Sequence, residues 1–226
     1  MEKLKRLIED GVLTDLIKAE EAISVFKRIS DSALKINESE DSIKFTFGYF
    51  QQLCFNDFIL SISRMYDRKT SRNSNRCIDT VIKYLRDHKD SLPPIREKYQ
   101  LILHMRHFEM PEYLISLVEN NDPSQFPFRL ATYYENRLLN LREEIKTIKL
   151  KRDKNLAHNE PTEVIRIKID DTEQFLNFGW RLVVIVGWAY LNTAYGFKDD
   201  MHLKRDGQRQ GSYINKVIQR LINNGA

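Results

Sequence analysis

The chain predicts an all-α fold: a bundle of long antiparallel helices with at most one short extended segment. Three observations carry this. Apolar residues recur every three to four positions along most of the 226 residues, the period of a helix with one buried face. Glycine and proline are scarce, at eight and six, so few points force the chain to turn. Only "TEVIRIKID", Thr162 to Asp170, alternates apolar with charged residues, and it does so imperfectly.

The elements follow in order. Residues 3–36 read as one or two helices, with Gly11 as the interruption and Thr14 as a fresh N-cap. Asp41 and Ser42 open a long helix. Its Phe47, Phe50, Leu53, Phe58, Ile62 and Met65 recur at three to five positions and are expected to face a core. The polar run "RKTSRNSNR", 68–76, closes it. A helix over Arg76 to Asp87 places Ile78, Val81, Ile82 and Leu85 on one face. "DSLPPIREKY" stops and restarts the chain, because proline fits only the first turn of a helix. Residues 94–120 then read as one helix bent or broken near Pro111, and "NNDPSQFP" as a loop. From Phe128 a long charged helix must end before Pro161. "TEVIRIKID" is the extended segment, and Asp170, Asp171 and Thr172 cap the apolar helix that follows. After Gly196 the chain turns polar and ends in a short helix over Ser212 to Ile222.

Composition is that of a globular chain, 42% hydrophobic and 30% charged, and 226 residues suffice for one domain with its own core. The formal charge of +4 neither requires nor opposes a nucleic-acid partner. The N-terminal stretch lacks the apolar run of a signal peptide. The most apolar segment, Phe175 to Gly196, contains Arg181, Asn177 and Asn192 within a membrane-length window, which favours a buried central helix over a membrane span. Two cysteines, Cys54 and Cys77, without partners at metal spacing, fit a reduced, cytoplasmic setting with neither disulfide nor zinc site.

Several chemistries are excluded by motif. The chain has no glycine-rich phosphate loop, no H-E-x-x-H, no nucleophile elbow and no C-x-x-C. His104 and His107, followed by Glu109, share a helical spacing that a metal could use, but no second carboxylate-rich helix answers them; a half-exposed, hydrogen-bonded pair is the expectation. Asp199, Asp200 and His202 are placed in a solvated loop. Lys204, Arg205 and Arg209 form a basic loop suited to non-specific phosphate contact or simply to solvation.

The stretch "KLKRDKNLAHNEP", Lys149 to Pro161, has the best-matched chemistry. Histidine exchanges protons near neutral pH, and arginine offers a permanently charged fork for phosphate. Arg152 and His158 therefore supply the parts of metal-free, cofactor-free RNA cleavage: a proton-transfer group and a cation for the charge that grows on phosphorus. On one straight helix the two are separated by about 9 Å of rise and about 240° of rotation. A helix that frays near its end or an Arg152 that folds back would ease this, as would a homodimer packing this segment against its copy, which brings both types into one cleft. The competing reading is a solvated helix end, where cations complement the helix dipole and His158 caps the chain.

"RDKNLAH" resembles the R-x-x-x-x-x-H signature of the HEPN superfamily. With the upstream "FNDFILSISRMYDRKTSRNSNRCIDTVIKYL", in which Arg64 and Asp67 form an Arg-x-x-Asp element, it is most similar to the AbiU-type abortive-infection branch. The resemblance covers about residues 40–196, with the terminal helices as extensions. It implies a dimeric, metal-independent endoribonuclease of phage defence or of a toxin–antitoxin pair, with RNA as substrate and an antitoxin or other regulatory protein as a partner. Arg152 and His158 take its catalytic positions. Asp153 would orient the arginine or the partner's histidine, and Lys154 and Asn155 match the signature string, Lys154 within reach of phosphate. Since many HEPN-like domains bind nucleotides or partners, the resemblance also implies an alternative: a non-catalytic nucleotide-binding or regulatory module.

Overall fold

A computed structural model describes residues 1–67, 76–120, 124–157, 169–196 and 202–224. Among these, all regular structure is helical and no strand occurs. The extended segment expected at Thr162–Asp170 lies outside the described residues up to 168, and Ile169 and Asp170 already belong to a helix.

The chain begins with α1 (Glu2–Leu7), which passes through a π-helical turn (Ile8–Leu13) into α2 (Thr14–Asp31). Gly11, read as the interruption, sits inside this turn, where the α-helix is indeed interrupted. A Cβ there would lie 2.5 Å from the Cβ and the carbonyl oxygen of Arg76, so the glycine lets two backbones meet. Thr14 caps nothing; its hydroxyl donates to the Glu9 carbonyl at 2.8 Å, closing the wide turn. A short α3 (Ala33–Asn37) leads to α4 (Asp41–Met65), and then come α5 (Ile78–Asp87), α6 (Lys98–His107) and α7 (Glu112–Glu119). The break before Pro111 passes through Glu109, which adopts φ 52°.

α8 (Phe126–Asn140) and α9 (Arg142–Lys151) form the predicted long helix, interrupted at Leu141, and a second π-helical turn (Arg152–Ala157) prolongs it. α10 (Ile169–Val186) is the apolar helix. Phe175, Leu176, Phe178, Trp180 and Leu182 to Val186 are all buried, so it is the central element of the core. Among the described residues no helix is long and apolar enough to cross a membrane. α11 (His202–Asn224) ends the chain.

α2 and α4 are antiparallel neighbours, as their paired residues show. Gln51 donates to Ser30 at 2.7 Å, Phe55 packs on Phe26 with ring centroids 5.5 Å apart, and Arg64 donates to Asp15 at 2.9 Å. The buried face of α4 runs through Phe47, Phe58, Ile62 and Met65 as expected. Phe50 and Leu53, which were expected beside them, are exposed. At about 100° per residue they fall roughly 60° and 120° behind Phe47, and Gln51 and Phe55 continue the stripe instead.

α11 is far longer than the short C-terminal helix read from the sequence, and Lys204, Arg205 and Arg209 lie on it rather than in a loop. The polar composition suggested the loop, yet Gly207 and Gly211 within it are the helix's packing surface. A Cβ at Gly211 would lie 2.2 Å from Ser24 Oγ, and one at Gly207 would lie 3.0 Å from Glu20 Cβ. Four residues separate the members of each pair, so α11 runs parallel to α2. Ser24 seals the contact by donating to the Gln208 carbonyl at 3.0 Å. Ile218 then joins Ile29, Ile36 and Phe47 in a small apolar cluster apart from the main core.

Candidate functional site

The main candidate site forms where the end of α9 meets the end of α4. Lys149 and Arg152 stand three residues apart, so both face the same way, and both reach Asp67 just beyond α4. Lys149 Nζ lies 3.2 Å from Asp67 Oδ1. Arg152 Nη1 lies 3.4 Å from each Asp67 oxygen, at the long end of hydrogen bonding, while its Nε donates to Asp153 Oδ1 at 2.8 Å. Arg152 and Asp67 are only 25% and 28% exposed. The hydrogen bond to Asp153 and the Asp67 charge raise the Arg152 pKa further, against the opposing effect of burial. The guanidinium is thus a permanent charge held at two points.

Arg64 and Asp67, three residues apart in sequence, diverge in space. Arg64 Nε donates to Asp15 at 2.9 Å and its Nη2 to Ser61 Oγ at 3.1 Å, leaving Asp67 to the two cations of α9 and its end. Burial pushes the Asp15 carboxyl up despite this arginine. Lys151 stands with its Nζ 4.5 Å over the Phe55 ring, and burial lowers its pKa. Lys154 is half-buried and Asp153 exposed. Asn155 belongs to the π-helical turn, and His158 lies outside the described residues. The segment therefore carries Lys149, Lys151, Arg152 and Lys154 against Asp67 and Asp153, an arrangement suited to an oxyanion.

Beside it opens a groove of about 630 Å³ between α5, α8 and α9, lined by Tyr66, Leu139, Arg142, Ile145 and Lys149 among others. Tyr66 anchors this corner to α10, donating its hydroxyl to the Phe175 carbonyl at 2.7 Å. Burial raises its pKa well above the usual tyrosine value, so it remains a neutral donor.

The other sequence candidates separate. His104 and His107 do not form the half-exposed pair expected of them. His104 is fully buried and stacked on Trp188 with ring centroids 5.4 Å apart, whereas His107 is exposed beside Phe108. Positions three apart are neighbours on a helix face, and here the core edge runs between them, leaving His104 inside and His107 outside. Among the described residues no group of three His, Cys, Asp or Glu is placed to hold a metal. His202 is exposed at the start of α11, while Asp199 and Asp200 lie outside the described residues. Lys204 turns inward, its Nζ 3.2 Å from Asn177 Oδ1 and 3.6 Å from Glu20 Oε1, and Arg209 pairs with Asp206 at 2.7 Å.

Two arrangements escaped the sequence reading. Glu20 is buried, accepting from Trp180 Nε1 at 3.0 Å, and burial raises its pKa against the pull of Lys204 and these hydrogen bonds. A cavity between α8 and α10 is walled by Arg137 and Arg181. Its one signal was Arg181 itself, a charge inside the most apolar helix.

Scans against protein-family models, characterised proteins and solved structures returned no match.

Proposed function

We propose that the chain is a HEPN-like, metal-independent endoribonuclease that works as a homodimer in the cytoplasm, in phage defence or as the toxin of a toxin–antitoxin pair. The observation that carries this reading is Arg152, held by Asp67 and Asp153 at the end of the helix that leads into His158. A guanidinium fixed at two points keeps its remaining donors aimed, and aimed donors stabilise a transition state without reorganising. The upstream Asp67 that contributes to the family resemblance is one of the two groups that hold it.

In this mechanism His158, or its counterpart on the partner chain, takes the proton from a ribose 2′-hydroxyl. The 2′-oxygen attacks phosphorus, the bond to the 5′-oxygen breaks, and a protonated histidine returns a proton to that leaving oxygen. The products are a 2′,3′-cyclic phosphate and a 5′-hydroxyl end. Arg152, with Lys154 close by, balances the negative charge on the non-bridging oxygens. An antitoxin or another regulatory protein would restrain such an activity by covering the cleft.

The test is cleavage of total RNA by the purified protein, compared with Arg152→Ala and His158→Ala. Loss in both variants with folding retained supports the reading; equal cleavage by all three overturns it.

A second reading rests on the same carboxylates. With Asp67 and Asp153 both engaged, the Arg152 charge is largely neutralised, as befits a structural anchor in a nucleotide-binding or regulatory HEPN-like module. Tight RNA or nucleotide binding without strand scission, unchanged in His158→Ala, would favour this module over the nuclease.

A further inference from the structure

The cavity between α8 and α10 is unlike the others in its charge. It measures about 380 Å³, within the range of small-molecule sites, and among the described residues no carboxylate lines it. Its walls carry Arg137 from α8 and Arg181 from α10. Neither has a hydrogen-bonding or ion-pairing partner among the described residues, although Arg181 also lies over the Phe108 ring at 5.8 Å. Arg181 is half-buried on the core helix, where an uncompensated charge is costly. Such a residue is expected to meet an anion.

A second feature points the same way. Tyr134 lines this cavity, is 2% exposed, and its hydroxyl has no hydrogen-bond partner among the described residues. An orphaned buried hydroxyl loses its hydration with nothing in return, so a ligand that accepts from it is favoured. Burial and the neighbouring Tyr133 push its pKa well above the usual tyrosine value, opposed by the charges of Arg181 and Arg137, which act on it from the cavity wall. The hydroxyl therefore remains protonated and can donate. Around it, Gln174 and Asn177 add amides, and Phe178 supplies an apolar floor.

We propose that this cavity binds a small phosphorylated molecule, its phosphate held by the Arg137 and Arg181 guanidinium groups and the Tyr134 hydroxyl. A tetrahedral phosphate offers enough oxygens to accept from two forks and a phenol together, whereas a planar carboxylate fills one fork. The amides and Phe178 would meet the neutral part of the ligand. This site shares no residue with the Arg152 segment and stands independently of the nuclease reading.

Isothermal titration of the full chain in phosphate-free buffer tests it, with inorganic phosphate, glycerol 3-phosphate, succinate and a short RNA oligonucleotide as probes. Saturable binding of phosphate, and tighter binding of glycerol 3-phosphate, is expected. Arg137→Gln and Arg181→Gln should each weaken it about tenfold, as loss of a charge-assisted pair does. Tyr134→Phe, which keeps the ring, should weaken it a few-fold by the same scale, and Arg152→Ala should leave it unchanged. Should Arg181→Gln fail to fold, the exposed Arg137 and the conservative Tyr134 change still decide the question. Affinity unaltered by the Arg137 or Tyr134 change, preference for succinate, or binding of the oligonucleotide alone would overturn the assignment.

Discussion

The Asp67 carboxylate stands between Lys149 Nζ at 3.2 Å and Arg152 Nη1 at 3.4 Å, joining residues more than eighty positions apart in sequence. Its removal leaves two cations from adjacent turns facing each other with nothing between them. Because the pair is partly exposed, the stability lost in Asp67→Asn should stay within about 1 kcal/mol. The activity lost should be larger. If Arg152 stabilises the reacting phosphate, a loosened guanidinium lowers kcat by about tenfold or more, with KM changing less. Steady-state cleavage of a fluorescent RNA alongside urea denaturation checks both. An activity loss no greater than the stability loss predicts would remove Asp67 from the site.

This pair also marks how far the sequence could be read. Helix positions follow from periodicity, so the core stripe Phe47, Phe58, Ile62, Met65 and the central burial of Phe175–Val186 were legible. Arg152 and Asp153 stood out as candidates because they carry their chemistry in their identity and spacing. The Asp67 contact was not legible: α4 and α9 are brought together by packing, and no local spacing encodes a partner 85 positions away. Glycine has one role at both places where the chain packs most closely. At Gly11 and at Gly207 with Gly211 it marks close approach of backbones, which local sequence cannot distinguish from a turn.

The glycines yield a paired prediction. Gly211→Ala places a methyl 2.2 Å from Ser24 Oγ and 2.8 Å from its carbonyl oxygen, and the backbone cannot yield easily. Overpacking of this kind costs about 1–3 kcal/mol. Gly48 lies within α4 with nothing within 4 Å of the added Cβ, so Gly48→Ala should stabilise by about 0.5–1 kcal/mol. Equilibrium unfolding of the two variants should move in opposite directions. Equal shifts would mean that α11 does not dock on α2 through this face.

Glu20 sets a pH dependence. Its folded pKa lies above the ordinary carboxylate value, with burial as the main cause. A raised carboxyl contributes stability that is fully present below the unfolded pKa and is lost as pH rises through the folded one. Its contribution therefore falls from about pH 4 upward. Glu20→Gln can still accept from Trp180 Nε1 but has no proton to lose, so this part of the slope should vanish. Chemical denaturation of both proteins across the acid range checks it. If the slopes coincide, Lys204, 3.6 Å from the carboxylate, fully compensates its burial.

In the proposed nuclease, Arg152 and His158 meet through a partner chain. α4 exposes a row of large apolar side chains, Phe45 at 79%, Tyr49 at 65%, then Phe50 and Leu53, one or two turns apart. A row of this kind, on the helix whose end leads to Asp67, is a candidate surface for a second copy. Phe45→Glu with Tyr49→Lys should convert a dimer to a monomer by light scattering and abolish cleavage with little change in helicity. Complementation then tests whether the cleft is shared. When Arg152→Ala and His158→Ala chains are mixed and allowed to exchange, half the dimers are mixed, and each would hold one intact Arg–His pair if the pair is contributed across the two-fold axis. About a quarter of wild-type activity should then return. If both residues act within one chain, every site in the mixture lacks one of them, and no activity returns.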